Sequence, residues 1–173
     1  IGHVRYSTTG SSNINNIQPL YSNTSKGKIA IAHNGNLTNA YSIFKSLNSK
    51  GALFQSTVDS EVILHLLSRT EGKSIVELMK KTLHKIEGAY SLVVLGENYL
   101  LAARDPGVFR PLVLGKLGDG YIVASETCAL DLVDATYVRE IEPGEIILIN
   151  ESGLSSHRIT VKPKPSFCVF EHV

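Results

Sequence analysis

The sequence predicts an α+β fold built in layers with mainly antiparallel sheets. Two observations predict it. Apolar residues recur at helical spacing between about residues 38 and 86, whereas from Gly88 onward the texture changes to short apolar runs joined by glycine-containing hairpin signals. The order is therefore a few strands, then helices, then many hairpin-linked strands, which suits an antiparallel layered domain.

Taken in order, residues 2–6 form a short strand candidate, and residues 7–18, dense in Ser, Thr, Asn and Gly, read as an irregular loop. Residues 29–32 are an apolar strand that runs into His33-Asn34-Gly35-Asn36, where Asn-Gly is a strong turn signal. Thr38 is placed to cap a helix through about Asn48, with Tyr41, Phe44 and Leu47 on one face and Gly51 at its end. Residues 54–58 read as extended. Asp59 or Ser60 then starts a helix carrying Val62, Ile63, Leu66 and Leu67, and Ser74 starts another carrying Ile75, Leu78, Met79, Leu83 and Ile86.

In the second half, residues 89–95 and 99–103 flank a Gly-Glu-Asn hairpin, and residues 112–117 and 121–124 flank Gly-Asp-Gly. Residues 126–133 fit a short helix. Residues 137–141, 145–149 and 154–160 supply three more strands, and Pro163 and Pro165 mark a connector before residues 167–173. No internal repeat or low-complexity tract interrupts the chain, so residues 1–173 read as one domain.

Composition narrows the function classes. With 173 residues, 43% of them hydrophobic and 19% charged, the chain is long and apolar enough to build a core, which excludes general disorder. Seventeen basic residues against sixteen acidic leave a net charge of +1, which argues against a nucleic-acid partner. No apolar run reaches the ~18 residues of a membrane span, and no secretory signal is present. Two cysteines, Cys128 and Cys168, do not make a disulfide framework, so a reducing, cytoplasmic setting is expected. The chain opens at Ile1 without an initiator methionine, and it reads as a piece of something longer.

Generic catalytic motifs are absent. The six histidines are scattered, with no His-x-x-x-His pair and no Cys-x-x-Cys, so no metal is expected. Phosphate loops of the Gly-x-x-x-x-Gly-Lys or Gly-x-Gly-x-x-Gly type and a Gly-x-Ser-x-Gly elbow are missing too. Cys128 lies in an apolar helical stretch and is expected to pack as a small hydrophobe.

Three polar clusters at the ends of apolar strands are more informative. In Gly2-His3-Val4-Arg5-Tyr6-Ser7-Thr8, an arginine inside a short apolar strand needs an anion: a substrate carboxylate or an internal Asp or Glu. In His33-Asn34-Gly35-Asn36, the Gly35 N–H and the Asn34 amide make an oxyanion hole, or else an ordinary Asn-Gly turn. In Thr57-Val58-Asp59-Ser60-Glu61, Asp59 is either a helix N-cap or a carboxylate for a substrate ammonium group. One arginine, one aspartate and one oxyanion hole together suit an α-amino acid with a side-chain carbonyl.

These clusters, in this order, resemble the glutaminase domain of class II (N-terminal nucleophile) glutamine amidotransferases, and within that class the amidophosphoribosyltransferases. Gln18-Pro19, Gly88-Ala89-Tyr90-Ser91, Arg104-Asp105-Pro106, Arg110-Pro111-Leu112, Ala124-Ser125-Glu126, Pro143-Gly144-Glu145 and Cys168-Val169-Phe170-Glu171 extend the resemblance over essentially the whole chain. It implies a four-layer αββα sandwich of the N-terminal-nucleophile hydrolase type, incomplete at its N-terminus. It also implies that Arg5 binds the glutamine α-carboxylate with Thr8 assisting, that Asp59 binds the α-ammonium, and that Asn34 and Gly35 hold the oxyanion. The Arg104–Pro111 region is expected to be structural. There the sequence departs from the family, which usually has glycine two residues after the proline; here Gly107 follows Pro106 directly and Val108 takes the next place.

The resemblance further implies glutamine as substrate and ammonia delivered to phosphoribosyl pyrophosphate in purine biosynthesis. A downstream phosphoribosyltransferase domain is expected, with magnesium at a site in that domain and homo-oligomerisation of the parent enzyme. The family nucleophile is an N-terminal cysteine lying several tens of residues before the arginine motif, and neither Cys128 nor Cys168 can replace it, since an internal cysteine has no free α-amine. The 173 residues alone are therefore expected to be inactive. Cys168 matches a position that ligates an iron–sulfur cluster in some relatives, but one cysteine cannot hold a cluster that typically takes four. Two alternatives stay open: a non-catalytic glutamine-binding or structural module, and the glutaminase domain of another amidotransferase.

Overall fold

The computed structural model describes residues 1–4 and 13–160. Arg5, Thr8, Cys168 and the connector at Pro163 and Pro165 lie outside the described residues. Two antiparallel sheets form the frame. The larger has six strands in the order β1 (Leu20–Thr24), β2 (Gly27–Leu37), β3 (Gly88–Leu95), β4 (Tyr99–Arg104), β8 (Glu145–Asn150) and β9 (Gly153–Arg158). The smaller has three, with β5 (Val113–Leu117) between β6 (Gly120–Ala124) and β7 (Thr136–Glu140).

Alternation along the strands sorts the apolar residues into three cores. Ile29, Ile31, Leu92, Val94, Leu101 and Ile146 meet helices α1 (Ala40–Asn48), α2 (Asp59–Arg69) and α3 (Ile75–Leu83), which bring Leu47, Ile63, Leu67, Met79 and Leu83. Ala102 and Ile147, on the opposite face, meet Leu112, Leu114 and Ile141 between the sheets. Val113 points the other way, onto Leu130 of α4 (Cys128–Asp131). A Cβ on Gly115 would stand 2.7 Å from the Leu130 side chain, so glycine lets α4 lie close on β5. Helices, sheet, sheet, helix: this is the expected αββα sandwich, its fourth layer a single turn.

The sheets are also tied by charge. Arg104, 5% exposed, donates from Nε to the Arg110 carbonyl at 2.9 Å, and from Nη1 to Glu140 Oε2 at 2.9 Å and the Ile141 carbonyl at 2.8 Å. That bears out the structural role expected of the Arg104–Pro111 region. Val108 takes φ +60 in the intervening loop, a left-handed conformation costly for a β-branched residue.

Several expectations need correction. His33-Asn34-Gly35-Asn36 is not a turn: it lies inside the eleven-residue β2, paired with residues 89–92 of β3. Strand β1 was not legible, because Leu20–Thr24 is half polar and pairs only with the start of β2. Thr38 does not cap α1; its N–H continues the ladder to the Glu87 carbonyl at 2.8 Å, and Asn39 holds the N-cap position. The Asn39 amide is diverted to the loop before β3, donating to the Lys85 carbonyl at 3.0 Å and accepting the Glu87 N–H at 2.9 Å. Cys128 is exposed rather than packed, its thiol 3.3 Å from Glu126 Oε2. Residues 2–4 are not in a strand. Ser74 does cap α3, accepting the Glu77 N–H at 3.2 Å.

Candidate functional site

The site gathers on one edge of β2. In an antiparallel ladder the backbone groups of successive residues point alternately to the two neighbouring strands. Asp105 N–H donates to the Tyr90 carbonyl at 2.8 Å, so Tyr90 spends its backbone groups on the β4 side, and its β2 partner Gly35 faces away from β3. The odd-numbered residues of β2 thus present their N–H groups on the β1 side, where β1 pairs only as far as Leu20 opposite Ile31. Beyond that point side chains take over. Gln18 Oε1 accepts the His33 N–H at 2.8 Å, and Asp59 Oδ2 accepts the Leu37 N–H at 2.9 Å. The Gly35 N–H points to the same edge, between these two held groups.

Only glycine can occupy position 35. Its φ is +149, and a Cβ there would stand 2.1 Å from the Ala89 carbonyl oxygen and 2.8 Å from His33 Nε2. Asn34 is exposed and stands on the opposite face of β2 from His33. Tyr90, across from Gly35, is 2% exposed, and burial, with Asp105 adding to it, pushes its phenol well up, so it stays protonated at neutral pH.

Asp59 is neither a simple N-cap nor a free carboxylate. Val58 is the N-cap and Asp59 is the first residue of α2, 7% exposed. Its Oδ1 lies 3.5 Å from His33 Nδ1, which is also 3.3 Å from Ser60 Oγ; the other ring nitrogen is 3.3 Å from the Ala89 carbonyl. Burial alone would raise the Asp59 carboxyl, but the His33 hydrogen bond and charge, with the Leu37 and Ser60 N–H groups, outweigh it and hold the group below its ordinary range. Asp59 is thus an anion at neutral pH, and it lines a cavity of about 530 Å³ together with Leu37, Tyr41, Phe44, Phe54 and Val62.

Glu61, in the same first turn, accepts the Gln55 and Ser56 N–H groups at 2.8 Å each and the Ser56 hydroxyl at 2.6 Å. It anchors the segment before α2, in which residues 54–58 form no strand and Val58 is extended. The structure therefore brings Gly35 and Asp59 to one edge, with Asn34 on the neighbouring strand position. Sequence reasoning did not single out His33 as a partner of Asp59 or Gln18 as a clamp. The available signal was Gln18, a long polar residue between Ile17 and Pro19 that is 8% exposed in the fold. Among the described residues no cluster of His, Cys, Asp and Glu could hold a metal ion, and no helix is long and apolar enough to cross a membrane.

Comparison with known proteins gives the family and the fold. The family model of the glutamine amidotransferase domain matches residues 3–132. The chain belongs to that family and has the class II glutamine amidotransferase fold. Within it, the chain is 42% identical over its whole length to amidophosphoribosyltransferase of Bacillus subtilis (strain 168), and 43% identical to amidophosphoribosyltransferase 2, chloroplastic, of Arabidopsis thaliana. It spans only 37% and 31% of those two proteins. The solved glutamine phosphoribosylpyrophosphate amidotransferase from B. subtilis, complexed with ADP and GMP, superposes with a TM-score of 0.92 over 98% of this chain and 37% of its own. A glutamine aminotransferase class-II domain protein from Silicibacter pomeroyi, 19% identical with a TM-score of 0.59 over 77% of this chain and 68% of its own, shares the fold.

Proposed function

We propose that this domain hydrolyses glutamine inside a longer amidophosphoribosyltransferase and releases ammonia to a phosphoribosyl pyrophosphate acceptor, in purine biosynthesis. The observation that carries the reading is the Gly35 N–H presented at an open strand edge, between the Gln18 clamp and the Asp59 carboxylate. A thiolate attacks the glutamine side-chain carbonyl, and the carbonyl oxygen becomes an oxyanion that accepts from Gly35 N–H and the Asn34 amide. Collapse expels ammonia and leaves a thioester, which water cleaves to glutamate. Asp59, ionised and walled by apolar side chains, takes the α-ammonium; Arg5 and Thr8 take the α-carboxylate.

The nucleophile in this reading is a cysteine at a mature N-terminus, whose α-amine serves as base. Cys128 is unsuited to the task, since the hydrogen bond from its thiol to Glu126 pushes it above its ordinary range and away from the thiolate. A phosphoribosyltransferase domain with a magnesium site would use the ammonia, in a cytoplasmic oligomeric enzyme, and no cofactor is assigned to the 173 residues themselves.

The test is glutamate release from glutamine by the full-length protein, coupled to consumption of phosphoribosyl pyrophosphate. Activity in the full-length protein and none in residues 1–173 alone is the expected result. A full-length protein that binds glutamine without hydrolysing it would leave a binding module instead. Hydrolysis coupled to a different acceptor would reassign the partner domain.

A further inference from the structure

Two buried side-chain amides hold the proposed site from outside it. Asn16 and Gln18 are 2% and 8% exposed and stand two residues apart, Asn16 ending the 3-10 turn Ile14–Asn16 and Gln18 following it before β1. Gln18 makes the pair of bonds that a main-chain partner would make in a ladder, and Asn16 grips one N–H and the hydroxyl of a single threonine. Gln18 Oε1 accepts the His33 N–H at 2.8 Å, and its Nε2 donates at 3.4 Å to the His33 carbonyl, which also lies 3.1 Å from the His3 ring. Asn16 Oδ1 accepts the Thr57 N–H at 2.9 Å, and its Nδ2 donates to Thr57 Oγ1 at 2.9 Å.

What the two amides grip matters more than their own satisfaction. His33 stands two residues before Gly35 on the same edge of β2, so the tilt of its peptide sets the direction of the Gly35 N–H. Thr57 stands two residues before Asp59, so its anchoring fixes how the chain enters α2 and where the Asp59 carboxylate sits. One short segment thereby registers the oxyanion strand against the ammonium-binding helix.

We infer that Gln18 and Asn16 are positioning residues, Gln18 for the oxyanion donors and Asn16 for the Asp59 carboxylate. The inference rests on the function proposed above. Neither amide touches substrate in this assignment, and the two act on different steps. An oxyanion exists only in the transition state and intermediate, so misaiming its donor lowers kcat. An ammonium contact is present in bound substrate as well, so loosening it raises KM.

The test is steady-state glutamine hydrolysis by the full-length protein. Gln18→Ala is expected to lower kcat at least about tenfold with KM within about twofold, because a misplacement of an ångström can cost on the order of 10²-fold. Asn16→Ala is expected to raise KM several-fold with kcat nearly kept. Gln18→Glu guards against a variant that fails to fold: a protonated glutamate offers one donor and one acceptor, as the amide does. Its kcat relative to the parent at the same pH rises as pH falls over roughly 8 to 5, where a buried carboxyl gains its proton. Parental kinetics in both alanine variants, the same change of kcat and KM in both, or a flat ratio for Gln18→Glu overturns the inference. If the parent protein releases no glutamate at all, the functional reading falls instead, so the two failures are distinguishable.

Discussion

The Asp59 carboxylate accepts the Leu37 N–H at 2.9 Å, which ties the first residue of α2 to the last residue of β2. Strand and helix are separated by α1 and its following loop in sequence, yet this bond joins them together with the His33 contacts to Asp59 and Ser60. Under the proposed function the same carboxylate would take the substrate ammonium, so binding and architecture would share one side chain.

That sharing gives a pH signature. The Asp59 carboxyl titrates below its ordinary value of 3.8 in the folded protein, because His33 and backbone N–H groups overcome the opposing effect of burial. A depressed folded pKa contributes stability above the unfolded value and loses it as pH falls through the folded one. Acid unfolding followed by circular dichroism is expected to show the parent losing stability below about pH 4 more steeply than Asp59→Asn. Equal slopes would detach the carboxylate from that role.

Gly35→Ala places a methyl group 2.1 Å from the Ala89 carbonyl, which backbone movement alone can relieve. The expected cost is about 2 kcal/mol or more in denaturant unfolding. Glutamine hydrolysis in the full-length protein should fall by on the order of 10²-fold, since the donor N–H moves with the strand. A soluble, active Gly35→Ala protein would disprove the edge geometry.

Val108→Gly should stabilise. A β-branched residue at φ +60 costs on the order of 1–2 kcal/mol, and glycine returns ~0.4–1 kcal/mol of that through the unfolded chain. The net expectation is a gain of about 0.5–1 kcal/mol, read as a higher denaturation midpoint at unchanged slope.

Arg104→Met removes a donor from the buried Ile141 carbonyl, from Glu140 and from the half-buried Arg110 carbonyl, which keeps the Ser91 hydroxyl at 3.2 Å. A loss of about 1–3 kcal/mol is expected, because the Ile141 carbonyl stays buried without that donor. Glu140→Gln should cost far less, since Glu140 is largely exposed and the two carbonyl bonds persist.

The layer pattern was legible where periodicity was strong. Val62, Ile63, Leu66 and Leu67 mark one face of α2, and Ser74 marks the start of α3 with a real hydrogen bond. The site was legible as residue types but not as geometry. Asn34-Gly35 carries a turn signal in any local reading, and only pairing with β3, fifty-odd residues downstream, holds it extended. Asp59 reads as a cap because a cap is a local event, whereas its actual partners, His33 and Leu37, come from another element. Likewise Thr38 loses its capping role to a ladder bond with Glu87 that no window of sequence contains.

An open strand edge is ordinarily an invitation to any extended peptide, which can zip onto it and seed aggregation. Along β2 the N–H groups on either side of Gly35 are already occupied by side chains rather than backbone, Gln18 on one flank and Asp59 on the other. A strand needs several consecutive pairings to adhere, and here it would find one. Among the described residues the gap leaves one N–H between two closed ones, so under the proposed function this edge would accept a single carbonyl oxygen without offering a continuous ladder to a strand.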